Sequence, residues 1–113
     1  MISKYNVIFL MEAMEFLEKL DDKTRDKVIY NIDKSRYVND PKLLKKLEGE
    51  IWEFRTRFNK IQIRLLAFWD KSDQEETLVV STHGIVKKTD KVPRKEIDKA
   101  EKLRQEYFEN KNK

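Results

Sequence analysis

Residues 51–69 constrain the fold more than any other part of this chain. In the segment Ile51 to Phe58, Trp52, Phe54 and Phe58 fall on one face of a strand, and Glu53, Arg55 and Arg57 on the other. In the next segment Ile61, Ile63, Leu65, Ala67 and Trp69 recur at every second position, while Gln62 and Arg64 point the opposite way. With Asn59-Lys60 as a two-residue turn, Phe58 opposes Ile61, Arg57 opposes Gln62, and Phe54 opposes Leu65. Arg55 then lies directly across from Arg64, and the two apolar faces coincide. A one-residue slip would turn one strand's apolar set into water, so the register is specified by the pattern itself. The turn is less favoured, because Asn-Lys is not the Asn-Gly pair that such hairpins prefer.

Other elements are expected to pack around this hairpin. Tyr5 to Leu10 reads as a first strand, and Ala13, Met14, Leu17 and Leu20 follow helical spacing. Asp21 or Asp22 caps a second helix reaching about Tyr37, with Val28, Ile29 and Ile32 inward. Asn39-Asp40-Pro41 ends that helix and restarts a short helical turn through Leu43, Leu44 and Leu47. After the polar turn Asp70 to Glu76, a third strand of the meander runs from Thr77 to His83. Pro93 opens a last helix with Ile97, Ala100, Leu103 and Tyr107 on one side, and residues 109–113 are expected to fray. The order β-α-α-β-β-β-α predicts one α+β domain, 1–113, built on an antiparallel sheet.

Charge says where such a domain would act. Of the chain's 113 residues, 39% are hydrophobic and 41% charged, and 6 Phe, 4 Tyr and 2 Trp supply large bodies for a core. The net +4 is not spread evenly. Residues 1–50 and 96–113 are each balanced, whereas 51–95 carry ten basic and six acidic side chains. A local excess of this kind attracts a polyanion. No Cys is present, which excludes disulfides and thiolate metal sites; with a single His, no metal is expected. Phosphate-loop and dinucleotide glycine motifs are absent, and no cofactor is expected. The apolar run Val7 to Met11 is interrupted by Glu12 and Glu15, too short for a signal peptide or a membrane span, so a cytoplasmic location is expected.

Two arginines facing each other across a ladder cost about 0.2–1 kcal/mol. The pattern fits either splayed surface arginines or an anion site preorganised on rigid strands, for which the guanidinium fork is well suited. Lys60 in the turn, and His83-Gly84 followed by Lys87-Lys88-Thr89, extend the same basic region.

These residues also carry a resemblance. Ile51-Trp52-Glu53-Phe54-Arg55, then Ile63-Arg64-Leu65-Leu66, then His83-Gly84-Ile85-Val86-Lys87-Lys88-Thr89, Val92-Pro93 and Ile97 with Ala100 resemble the RelE/ParE toxin superfamily. The closest likeness is to its phage-type, HigB-like branch. The resemblance implies a RelE-like small sheet with helices packed on one face. It implies the toxin of a type II toxin–antitoxin system, a ribosome-dependent, metal-independent mRNA endoribonuclease. Carried over by motif, Arg55, Arg64, His83 and Lys87 would be catalytic, and Arg57, Lys60 and Lys88 would bind RNA. Tyr107 matches a C-terminal residue that some members use, although its helical spacing fits core packing equally well. Expected partners are a cognate antitoxin with a helix-turn-helix domain, the ribosome and mRNA, and operator DNA only through the antitoxin complex. A ParE-like gyrase inhibitor and a catalytically inactive nucleic-acid-binding module of the same fold are the alternatives.

Overall fold

The computed structural model describes residues 3–74, 76–80, 84–87 and 91–112. Among them are six strands and three helices: β1 (Asn6–Phe9), α1 (Met11–Lys19), α2 (Asp22–Ser35), β2 (Leu44–Glu48), β3 (Ile51–Phe58), β4 (Ile61–Asp70), β5 (Thr77–Val80), β6 (Ile85–Lys87) and α3 (Arg94–Lys111). The strands form one sheet in the order β1-β5-β4-β3-β2, with β6 also paired to β4. None of the described helices is long and apolar enough to cross a membrane.

The β3–β4 hairpin has the register its alternation predicts: Phe58 faces Ile61, Arg57 faces Gln62, Arg55 faces Arg64 and Phe54 faces Leu65. Its turn is made by Asn59 and Lys60, both at positive φ, 50° and 66°. Two successive left-handed residues match the right-handed twist of the strands they join. Asn accepts that conformation readily; Lys does so at a cost.

Four features differ from the sequence reading. First, Leu44–Glu48 is a strand, not a helical turn. Asp40 does start a turn, accepting from the N–H groups of Leu43 and Leu44 through its carbonyl and from Lys42 through its carboxylate. The chain then runs antiparallel to β3. Leu44 packs on one side of the sheet and Leu47 on the other, which strand alternation allows and one helical stripe would not. Second, the sheet is mixed, because β1 lies parallel to β5. Two helices and three strands intervene, ample chain for the crossover that a parallel pair requires. Third, Ile85–Lys87 forms a further strand, β6, on the same flank of β4 as Thr77–Val80; residues 81–83, where the expected meander strand would end, lie outside the described residues. From Ala67 to Arg64 β4 advances three residues while its partners advance five, Val80 to Ile85. Gly84 is buried there, and a Cβ on it would collide with the Phe16 ring, so close packing favours glycine.

The fourth difference decides where a site can lie. Helices cover both faces of the sheet, not one. On the first face Ala13 and Leu17 of α1 and Val28 and Ile32 of α2 pack on Phe54, Ile63, Leu65, Ala67, Leu78 and Val80. Met14 and Ile29, expected inward, lie beside these stripes and are 50% and 45% exposed. On the second face Ile97, Ala100, Tyr107 and Phe108 of α3 pack on Ile51, Leu66, Phe68 and Val79. The cause is in β4, where Leu65-Leu66-Ala67-Phe68 is apolar without a break and buried on both sides.

Helix α3 is fastened at its far end. Tyr107 meets Phe68 and Phe108 edge to face, and the Phe68 and Phe108 rings are tilted against each other. The Tyr107 hydroxyl donates to buried Asp70 Oδ2 at 2.6 Å, and Lys111 Nζ reaches the same oxygen at 2.7 Å. Ser72 donates to Oδ1 through both its N–H and its hydroxyl. Burial alone would raise the Asp70 pKa, but the hydrogen bonds from Lys111, Ser72 and Tyr107 outweigh it and hold the carboxyl well below the usual range. Burial and the Asp70 partner push the Tyr107 phenol up to about 12. The helix therefore continues to Lys111 and does not fray from residue 109.

Two outcomes follow. Lys60→Gly relieves the left-handed cost in the turn and should raise stability by about 1 kcal/mol, read as a melting temperature higher by about 4 °C. Asp70 ionises more readily folded than unfolded, so its contribution is complete above the unfolded value of about 4 and drains away as pH falls towards the folded one. Asp70→Asn should destabilise the chain by about 1.5–3 kcal/mol at neutral pH. Urea titrations from pH 7 to pH 3 should show the wild type losing its advantage over the variant on acidification; a constant gap would refute the assignment.

Candidate functional site

The half of the second face that α3 does not pack against carries Glu53, Arg55 and Arg57 on β3 and Gln62 and Arg64 on β4. Strand alternation places them together, because they are the positions between the apolar ones. They open into a cleft of about 370 Å³ lined by Lys42, Arg55, Thr56, Arg57, Gln62 and Arg64.

One carboxylate organises the two facing arginines. Arg64 Nη1 donates to Glu53 Oε1 at 3.1 Å, and Arg64 Nη2 donates to Gln62 Oε1 at 2.5 Å. Arg55 Nε lies 3.5 Å from the same Glu53 oxygen, while its Nη1 donates to the Pro41 carbonyl at 3.4 Å. The repulsion expected between Arg55 and Arg64 is thus offset by an acid between them. The three side chains differ in exposure. Arg64 and Glu53 are buried, at 3% and 5%, whereas Arg55 retains 31% and Arg57 is exposed. Glu53 Oε2 is buried without a hydrogen-bond partner among the described residues.

The expected site residues separate into groups. Arg55, Arg57 and Arg64 come together, with Arg64 as the inner wall of the cleft and Arg57 at its surface. Lys60 is exposed in the turn and does not line the cleft. Lys87 ends β6, whose register sets it opposite Gln62. His83 and Lys88 lie outside the described residues. Tyr107 is far away: Asp70, its partner, is six residues along β4 from Arg64, about 20 Å in a strand.

Two basic residues had not been singled out. Lys42 lines the cleft from the turn before β2, where no periodicity marks it. Lys45 lies directly opposite Glu53 in the β2–β3 ladder, and so on the site face of the edge strand. Its signal was hidden because residues 43–47 also fit a helical turn. Lys42, Arg55, Arg57 and Arg64 bring four cations to one cleft, two of them paired to buried Glu53, an environment suited to anions with several oxygens.

Comparison with known proteins agrees in extent with this region. The family model described as Gp49, phage derived protein Gp49-like (DUF891), matches residues 15–105. The match runs from α1 into α3 and includes every residue lining the cleft. No curated protein matches the sequence. The family is associated with the toxins of toxin–antitoxin systems, for which an antitoxin is the natural partner. With its model matched over most of the length, the chain belongs to the Gp49-like family of phage-derived proteins, a family of Gp49/HigB-type toxins.

Proposed function

We propose that this protein is a toxin of the RelE/ParE type that cuts messenger RNA on the ribosome, and that the basic cleft is where the scissile phosphate sits. The observation that carries the reading is the convergence of Lys42, Arg55, Arg57 and Arg64 on one cleft, with Arg55 and Arg64 held in fixed geometry. RNA contains its own nucleophile. When the 2′-hydroxyl attacks the adjacent phosphorus in line, the P–O5′ bond breaks and leaves a cyclic phosphate and a 5′-hydroxyl. The protein must then orient the backbone, stabilise charge on the phosphate oxygens and move two protons.

Roles follow from exposure. Arg57 and Lys42 at the surface meet the incoming backbone, and Arg55 reaches the phosphate. Arg64 supplies a fixed positive charge from the inner wall, where displaced water makes it felt more strongly. His83, or Lys87 or Lys88, carries the protons, and Lys60 contacts flanking RNA from the turn. Tyr107, engaged with Asp70 at the other end of β4, takes no part. An antitoxin bearing a DNA-binding domain would silence the toxin by covering the cleft or keeping it off the ribosome.

The test is induced expression in bacteria with primer extension on a translated message. Wild type should arrest growth and produce new cuts. Arg57→Ala, at an exposed position, should leave stability within about 0.5 kcal/mol and slow cutting about 10²–10³-fold. His83→Ala should cost about 10²–10⁴-fold. Arrest without cuts would move the target to gyrase, and neither arrest nor cuts would overturn the toxin reading.

A further inference from the structure

Among the described residues, Glu53 is the acid paired to two of the arginines that line the cleft, and it is buried. A buried carboxylate facing a phosphate cleft weakens ground-state binding, so charge attraction alone does not account for it. Its contacts do. Arg64 is held at two points, by Glu53 and by Gln62; Arg55 is held at two points, by Glu53 and by the Pro41 carbonyl. Glu53 Oε1 is the anchor common to both. Without it, the facing guanidinium groups would repel each other and swing apart.

We infer that Glu53 is the positioning residue of this site, fixing the separation and orientation of the Arg55 and Arg64 guanidinium groups. The inference rests on the ribonuclease reading of the cleft for its kinetic consequence, and on geometry alone for its structural one. Glu53 touches no substrate; it acts through the arginines. It gives up some affinity for RNA in exchange for a clamp set in one geometry.

That exchange gives a signature that neither unfolding nor simple charge neutralisation would show. In single-turnover cleavage of a ribosome-bound message, Glu53→Gln should lower the maximal rate about 100-fold, as a displacement near 1 Å does. The toxin concentration for half-maximal rate should stay level or fall, since a negative charge has gone. Because Glu53 acts through both arginines, Glu53→Gln with Arg64→Gln should lose less than the product of the two single losses, since with Arg64 gone only the Arg55 anchor is left to lose. The double variant removes both members of the buried pair and keeps the comparison available where the single acid variant fails to fold.

A maximal rate within twofold of wild type in Glu53→Gln overturns the inference. So does a loss in the double variant equal to the product of the single losses, which would make Glu53 an independent participant. A wild type that binds but never cuts would refute the ribonuclease reading instead. Positioning is then read from guanidinium N–H exchange: Arg64 Nη–H and Arg55 Nε–H, the groups that meet Glu53, should be protected in wild type and fast in Glu53→Gln, and equal protection in both refutes it.

Discussion

The pairing of β3 with β4 fixes nearly everything else in this molecule. Because successive strand residues point to opposite faces, one register decision sets which eighteen or so positions face helices and which face the cleft. Phe54, Ile63 and Leu65 draw α1 and α2 onto one face; Leu66 and Phe68 draw α3 onto the other. The polar positions left over are Glu53, Arg55, Arg57, Gln62 and Arg64. A site assembled in this way sits on the most deeply buried hairpin of the domain, so its geometry is as rigid as the core.

The second face is divided along its length. One end is apolar and lies under α3, and the other is basic. The division is sharp because β4 changes character between Arg64 and Leu66, one pleat apart. Each end has an acid buried at its centre. Asp70 collects Tyr107, Lys111 and Ser72 and ties down the helix; Glu53 collects Arg55 and Arg64 and ties down the cleft. Asp70 has donors on both of its oxygens, whereas Glu53 is met on Oε1 by two guanidinium groups, and in each case opposite charge offsets the burial.

How much of this was legible depends on whether the signal was local. The hairpin register was legible down to the Arg55–Arg64 pair, because alternation on two neighbouring segments admits one solution. A cap at Asp21 or Asp22 and the inward Val28 and Ile32 were legible from short-range spacing, which did not choose between the two aspartates and also placed Ile29 inward. Leu43, Leu44 and Leu47 were ambiguous, since their spacing suits a helical turn as well as a strand serving both faces, and only pairing with β3 decides. β6 has three described residues and is held by pairing with β4 and by Ile85 packing on the second core, which no local pattern announces. Helices on both faces were foreshadowed by the unbroken run Leu65 to Phe68, whose even positions matter as much as its odd ones. In the site, residue types were readable but exposure was not. Whether Arg64 is surface or interior depends on Glu53 and Gln62 reaching it from either side, a fact of three dimensions.

Arg64 also shows why a strongly basic site needs an internal acid. Three arginines on adjacent strand positions would each prefer water, and their long side chains would leave the cleft open and disordered. A guanidinium enters the interior only if its charge and donors are met there. Glu53 meets the charge and Gln62 a second donor, so Arg64 becomes wall instead of rim. With its inner member fixed, the cleft keeps its positive field while Arg57 and Lys42 stay exposed at its rim. One buried pair thereby bears on both fold and proposed function: the acid that lets the strands fold with arginines side by side also sets where those arginines stand on the ribonuclease reading of the cleft.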